Sequence, residues 1–221
     1  ETTITFTNFD IKKGMVKFLC TIYESQSIVR SDPLFFQFNV PMIPRNELIA
    51  IACSTFCGRK FDRIEYELVL NNQIMKEIEK FTGAHVVSSP KKGLRWIPTR
   101  RSITRGNLEN KKVNTILNFS GGFDSLAMLA ILPENTKLVS MDFGGWFQRE
   151  KDFFKDFNPY IVTTNFRQLK YDRNSWTFMG VGAILFSDYL SAKYNVFGTI
   201  LEASRHQIRV NPSGMENLGT L

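Results

Sequence analysis

Residues 3–7 alternate apolar and polar side chains, and residues 15–23 do so less strictly, with Lys12-Lys13-Gly14 between them. A period of two puts alternate side chains on opposite faces of a strand, so this stretch predicts two strands and a turn. Residues 34–40, bounded by Pro33 and Pro41, read as a third strand. From Pro44 the period lengthens. Leu48, Ile49, Ala52, Cys53 and Phe56 share one helical face, and Gly58 is placed to end that helix. A strand over 63–68 and an amphipathic helix over 72–81, stopped by Gly83, complete an α+β pattern. This half carries no internal repeat, low-complexity tract or chemical motif.

The second half alternates strand and helix, as a parallel sheet requires. Strands are expected over 115–119, 137–141, 160–163 and 196–200. Helices are expected over 124–132, 147–157 and 178–194, the last with Val181, Ile184, Leu185 and Tyr189 on its apolar face. The predicted fold class is therefore α/β: a parallel, doubly wound sheet domain over 113–221, preceded by a smaller α+β domain over 1–90 and joined to it by a linker over 91–112. Ligands of such sheets collect at the carboxyl ends of the strands. That rule singles out 120–125, 142–145 and 198–209.

Composition narrows the setting. A chain of 221 residues with 43% hydrophobic content can build a sizeable core, and 20 Phe make that core aromatic. No apolar run approaches the ~20 residues that span a bilayer, so no membrane role is expected. The chain opens on Glu1 without a charged-then-apolar leader, as a processed or partial chain would. Three cysteines, Cys20, Cys53 and Cys57, are too few and too odd in number for a disulfide framework, and a reduced, cytoplasmic setting is expected. Cys53 and Cys57 fall on one helical face; two ligands do not make a zinc site, and small buried hydrophobes account for them. Neither histidine, His85 nor His206, has ligand partners at a recognisable spacing; His85 reads as structural, while His206 lies near a candidate site. Lys193 is assigned to a solvated helix face.

The formal charge is +7. Much of the excess lies in the linker, where Lys91, Lys92, Arg95, Arg100, Arg101, Arg105, Lys111 and Lys112 face only Glu109. Such a run suits a solvated connector, and it also suits RNA backbone or a triphosphate.

The chemistry concentrates where an apolar run ends in Ser120-Gly121-Gly122-Phe123-Asp124-Ser125 and a helix-like segment follows. Glycines let the backbone turn sharply and approach an anion without Cβ interference. Free N–H groups and the positive end of the helix then face that anion. Ser120 and Ser125 add hydroxyl donors, and Asp124 is placed either to cap the helix or to reach a phosphate-bound Mg²⁺. At background usage of roughly 5–7% per residue type, these five fixed positions arise by chance in a chain this long about 3 times in 10,000.

This sextet resembles the SGGxDS signature of the N-type ATP pyrophosphatases, the PP-loop superfamily, which includes GMP, NAD and asparagine synthetases, 7-cyano-7-deazaguanine synthase and tRNA-modifying enzymes. No Gly-Lys-Ser/Thr follows, so it is not a Walker A loop. The resemblance covers about the C-terminal half. It implies an adenine nucleotide alpha hydrolase-like sheet, ATP and Mg²⁺ as cofactors, and transfer of AMP to a substrate oxygen with release of pyrophosphate. Residues 198–204 resemble the Gly-Thr segment of the GMP and NAD synthetases, which makes Thr199 an adenylate or phosphate contact and Glu202, with Asp124, a Mg²⁺ ligand. The alternative for this segment is a glycine that admits close backbone packing and a capping Glu. Asp142, with Gly144 and Gly145, sits where relatives bind adenosine; a carboxylate there accepts a ribose hydroxyl, or simply makes a turn. Arg205 and Arg209 offer paired donors for phosphate or carboxylate, and Arg205 joins Asp124 and Ser125 as a candidate catalytic residue.

Departures from the family bound the expectation. No amidotransferase domain is recognisable, and the C-terminal cysteine cluster of 7-cyano-7-deazaguanine synthase is absent. The chain stops at Leu221, soon after the fourth strand, so the domain is expected to be truncated at its C-terminus. The expected activity is ATP-dependent adenylation of a carboxylate or carbonyl oxygen of a small-molecule substrate, then attack by an amine or ammonia. The alternatives are a nucleotide-binding module that works through a protein partner or as a homo-oligomer without turnover, and an RNA- or nucleobase-modifying enzyme that uses the basic linker.

Overall fold

A computed structural model describes residues 1–91, 114–145 and 152–198. Three strands open the chain: β1 (Thr2–Lys12), β2 (Met15–Glu24) and β3 (Ser27–Phe38). They run antiparallel, β1 to β2 and β2 to β3. The β2–β3 turn sets Ser25 and Gln26 both at positive φ, which matches the right-handed twist of a tight hairpin. Helix α1 (Asn46–Thr55) leads to β4 (Arg63–Tyr66), and α2 (Asn72–Thr82) crosses to β5 (His85–Ser88). Strand β5 was not foreseen: four residues are too few for a periodicity, and it forms because β4 offers a parallel partner.

The second half supplies β6 (Asn114–Asn118), α3 (Phe123–Ile131), β7 (Lys137–Asp142), β8 (Tyr160–Thr164), α4 (Val181–Phe186) and β9 (Ala192–Phe197). The described strands form one mixed, mostly parallel nine-stranded sheet in the order β5-β4-β1-β2-β3-β8-β7-β6-β9. The α/β class is as expected, with an antiparallel region at the N-terminal side. The sheet is continuous, because β3 pairs antiparallel with β8. The linker expected over 91–112 lies outside the described residues after Lys91.

The predicted helix over 178–194 is corrected. A 3₁₀ turn (Trp176–Gly180) precedes α4, the chain reverses through 187–191, and β9 begins at Ala192 rather than at Val196. The helix starts in close packing: a Cβ at Gly182 would stand 2.8 Å from Met141 Sδ and 2.9 Å from Val139 Cγ1. Asp188, in the reversal, forms an ion pair with Arg45 at the start of α1. Lys193 is thereby an exposed residue of a strand, not of a helix, with its Nζ 5.5 Å from the Tyr194 ring. In the helix expected over 147–157, residues 152–154 are helical and Lys155–Phe157 tightens to 3₁₀.

One core runs under the whole sheet. Ile4, Phe6, Phe18, Phe36, Ile64, Ile116, Val139 and Val162 point to the same side, against α1 and α4 residues such as Ile49, Cys53 and Leu185. Side chains of the second half cap α1: Asn174 Nδ2 donates to the Phe56 carbonyl at 3.1 Å and Thr177 Oγ1 to that of Thr55 at 2.9 Å. On the opposite face a smaller cluster of Leu117, Phe119 and Phe154 seats α3 through Leu126, Met128 and Leu129. Farther along that face, Thr3, Thr5, Tyr23, Arg63 and Glu65 line a polar concavity of about 710 Å³.

Candidate functional site

Strand β6 delivers the 120–125 loop to the carboxyl edge of the sheet. Phe119 is pinned at its end: its N–H donates to the Val139 carbonyl at 2.8 Å, and its own carbonyl accepts Ser140 Oγ at 2.5 Å. The next residues turn sharply. Gly121 has φ +79°, and a Cβ there would stand 2.5 Å from Phe153 Cδ1. Position 121 is thus closed to other residues by conformation and by space.

Gly122 differs. Its backbone is extended, φ −71° and ψ 165°, a conformation open to any residue. A Cβ there would meet only Ser120 Oγ, at 3.4 Å, among the described residues. Gly122 is also the N-cap of α3, and no side chain caps that terminus. The first-turn N–H groups of a helix have no intrahelical partner. Here they meet the positive end of the helix dipole beside a surface without a Cβ.

The two serines brace the loop. Ser120 Oγ accepts the Gly122 N–H at 3.2 Å, and Ser125 Oγ donates to the Gly122 carbonyl at 2.9 Å. The hydroxyls lie 3.4 Å apart, and Ser125 is 3% exposed. Asp124 is the second residue of the helix and is exposed; the cap is Gly122, one place before the predicted start of the helix, so of the two roles expected for Asp124, capping is not the one seen.

Asp142 ends β7 and is buried. Its Oδ1 accepts the Gly144 N–H at 3.0 Å and its Oδ2 accepts Thr163 Oγ1 at 3.2 Å. The carboxylate therefore organises the turn and ties β7 to β8. Gly144 (φ +62°) lies under Gln168, whose Nε2 donates to the Phe143 carbonyl at 2.7 Å. Gly145 also has positive φ, with nothing within 4 Å of a Cβ placed there.

The end of β9 meets the loop directly. A Cβ at Gly198 would stand 2.5 Å from the Asp124 carbonyl oxygen and 2.7 Å from the Ser125 nitrogen. Gly198 thus admits a close backbone approach, as one alternative had it. Thr199, Glu202, Arg205, His206 and Arg209 lie outside the described residues, as do Lys92 to Lys112. The structure thus brings together Ser120, Gly121, Gly122, Asp124, Ser125 and Gly198, while Asp142 and Gly144 sit at the end of the neighbouring strand. Two packing partners, Phe153 on Gly121 and the first turn of α3 on Gly198, had no signal in the sequence, because each contact joins distant segments.

The cysteines sit far from ligand chemistry. Cys20, Cys53 and Cys57 are free and buried. Burial pushes the Cys20 thiol up to about 12 and those of Cys53 and Cys57 well above their ordinary value. Thiols held neutral in this way are poor nucleophiles and poor metal ligands. His85 Nδ1 lies 3.2 Å from Glu79 Oε1, a link between β5 and α2. Among the described residues no group of three His, Cys, Asp or Glu side chains is placed to hold a metal, and no helix is long and apolar enough to cross a membrane. Comparison with protein-family models, with curated proteins and with solved structures finds no match to this chain.

Proposed function

We propose that the 120–125 loop binds the phosphates of ATP with Mg²⁺, and that the protein adenylates a carboxylate or carbonyl oxygen of a small acceptor with release of pyrophosphate. The observation that carries this is Gly122: a helix N-terminus without a side-chain cap, at a residue whose missing Cβ neither the backbone nor the described neighbours require. An open surface at the positive end of a helix is what an anion needs. The resemblance of Ser120-Gly121-Gly122-Phe123-Asp124-Ser125 to the PP-loop signature supports a nucleoside triphosphate as that anion.

The residues fit the roles as follows. Backbone N–H groups of the loop and of the first turn of α3 hold the departing pair of phosphates, and the Ser120–Ser125 brace keeps them aimed. Asp124, exposed beside them, and Glu202 are the carboxylates for Mg²⁺, which supplies charge neutralisation on the phosphates. Arg205 is assigned to the transferring group or the acceptor, and Asp142, Gly144 and Thr199 to the adenosine side. The acceptor oxygen attacks the α-phosphorus, and the bond to the bridging oxygen breaks with its electron pair leaving on pyrophosphate. A nucleotide-binding module without turnover is the alternative, favoured by the single carboxylate, Asp124, that the described loop carries.

Thermal denaturation with and without Mg-ATP tests the binding step. A native-state ligand raises stability by RT ln(1 + [L]/Kd). Wild type is expected to show a shift, and Gly122→Val to lose it at the cost of no more than a weakened cap, about 1 kcal/mol, in the absence of nucleotide. Val fits the extended backbone at 122, so loss of the shift reports occupied space rather than misfolding. Equal shifts in both proteins overturn the loop assignment. With α-labelled ATP and candidate acceptors, AMP and pyrophosphate are the expected products; ADP refutes the mechanism, and binding without any product selects the module.

A further inference from the structure

On the face away from the main core, β4, β1 and β2 lie side by side, and their register sets polar side chains in two rows. Arg63, Thr3 and Tyr23 make one row; Glu65, Thr5 and Thr21 make the next. A polar outer face is ordinary for such strands. What sets this one apart is the concavity of about 710 Å³ that Thr3, Thr5, Tyr23, Arg63 and Glu65 line, together with Ser25 and Gln26 of the β2–β3 turn. That volume is within the range of small-molecule sites. Thr5 is only 8% exposed, yet no described residue hydrogen-bonds its hydroxyl, whereas Thr21, at 4%, is satisfied by Ser31 Oγ at 2.9 Å. A hydroxyl so sheltered is costly unless water or a ligand group comes in to pair with it.

Beside Thr5, Arg63 Nε donates to Glu65 Oε1 at 2.6 Å, which leaves both Arg63 Nη groups and Glu65 Oε2 without partners among the described residues. The pair cancels its own charge, and Glu1 adds a carboxylate only at an exposed position. The concavity therefore has little net field to draw in an anion or a cation. It sets donors and acceptors next to hydroxyls that do either. A vicinal diol suits this arrangement: one hydroxyl donates to the free carboxylate oxygen, its neighbour accepts from the guanidinium, and the ion pair stays whole. Tyr23 supplies an apolar ring with a polar tip, the same combination that a sugar ring presents.

We propose that this concavity binds a neutral polyhydroxylated ring, a saccharide in its pyranose form, with Arg63 and Glu65 bridged by two adjacent hydroxyls and Thr5 paired with a third. The site lies on β4, β1 and β2, separated from the β6 loop by β3, β8 and β7, so it stands or falls apart from the nucleotide function.

The test is an NMR titration of the full chain with D-glucose, D-galactose and D-mannose, and with tetrahydropyran as a ring without hydroxyls. At least one hexose is expected to bind saturably in the millimolar range and to shift the Thr3, Thr5 and Glu65 amides, which tetrahydropyran leaves in place. Glucuronate and glucosamine, which add a charge of either sign, are expected to bind no more tightly than the neutral hexose. Glu65→Gln keeps the shape and loses the charged acceptor, and should weaken the hexose by about ten-fold. The fold should tolerate it, because a part-exposed ion pair adds little stability. Thr5→Val should also weaken binding, with a melting point unchanged or higher, since a methyl group replaces a hydroxyl that no described residue holds. No saturable binding of any of the three hexoses, equal shifts with tetrahydropyran, or unaltered affinity in either variant overturns the proposal. Glucuronate bound more tightly than every neutral hexose overturns it in favour of an anion site, and a destabilised Thr5→Val overturns the pairing of that hydroxyl with a ligand.

Discussion

Helices α2 and α3 each follow a β-strand and each lead to a parallel neighbour, yet their N-termini are finished in opposite ways. At α2, Asn71 Oδ1 accepts the Ile74 N–H at 2.9 Å, and Gly83, at φ +74°, closes the other end. Every device there serves the helix itself. At α3 the N-cap is Gly122, no side chain of the described residues caps the first turn, and the neighbouring serines fasten the loop. A capped terminus has spent its donors on its own chain; an uncapped one keeps them for something else. In the N-terminal half Glu67, buried, pairs with Lys91 at 2.9 Å, while Asn46 Oδ1 is buried with no hydrogen-bond partner among the described residues. In the C-terminal half, among the described residues, Asn118 Oδ1 is buried in the same way, and the first turn of α3 has no side-chain cap.

The largest effect is expected from two glycine substitutions set side by side. Gly198→Ala drives a methyl group into the Asp124 backbone, which cannot swing aside, and should destabilise by about 1–3 kcal/mol. Gly83→Ala, with nothing within 4 Å, carries only the strain of a left-handed alanine and should cost about 1 kcal/mol. Urea denaturation ranks them; the reverse order would mean that β9 does not press on the loop as the structure has it. Next comes exchange of the caps. Asn71→Ala should cost about 1 kcal/mol, whereas Gly122→Asp, which installs a cap on α3, should stabilise the protein by a few tenths. If the uncapped end is an anion site, Gly122→Asp also abolishes the Mg-ATP shift; a shift that survives an Asp at that point breaks the comparison.

The smallest effect is a pH dependence at the far end of α2. Glu79 is held below the ordinary carboxylate value chiefly by the Val86 N–H, at 3.0 Å, with further help from His85 and Lys76. A depressed carboxyl stabilises the fold above its unfolded value near 4.5 and loses that contribution as the pH falls through the lower folded value. Wild type and Glu79→Gln should therefore converge in stability below about pH 4.5, by a small amount because the group is exposed to solvent. Parallel curves across that range would assign the α2–β5 junction to its backbone alone.

Much of this was legible in the chain itself, where the signal is local. Alternation marked β1 and β2, the helical stripe marked α1, and Asn72 to Phe81 with Gly83 marked α2 within a residue of its observed ends. The 120–125 turn between β6 and α3 was equally plain, because glycine spacing and the apolar run after it are properties of neighbouring residues. What failed was the helix over 178–194. Its apolar spacing fits a helix, but the pairing of β9 with β6 takes the chain from Ala192 on into the sheet, and the helix ends after Phe186. Strand β5 exists only because β4 lies beside it.

The sequence alone thus determined the strand-to-helix turn, since backbone conformation at Gly-Gly and the residues available to it are set within a few positions. Tertiary structure decided that β3 would pair with β8 to make one sheet, that the serines would brace the loop, and that Asp142 would hold a turn. It also decided that Gly121 and Gly198 are glycine for different reasons from Gly122: Cβ atoms at the first two would strike Phe153 and the Asp124 backbone, while one at the third would meet only Ser120 Oγ among the described residues. Those outcomes depend on contacts between residues far apart in the chain, and no local pattern encodes which distant side chain will fill the space beside a missing Cβ.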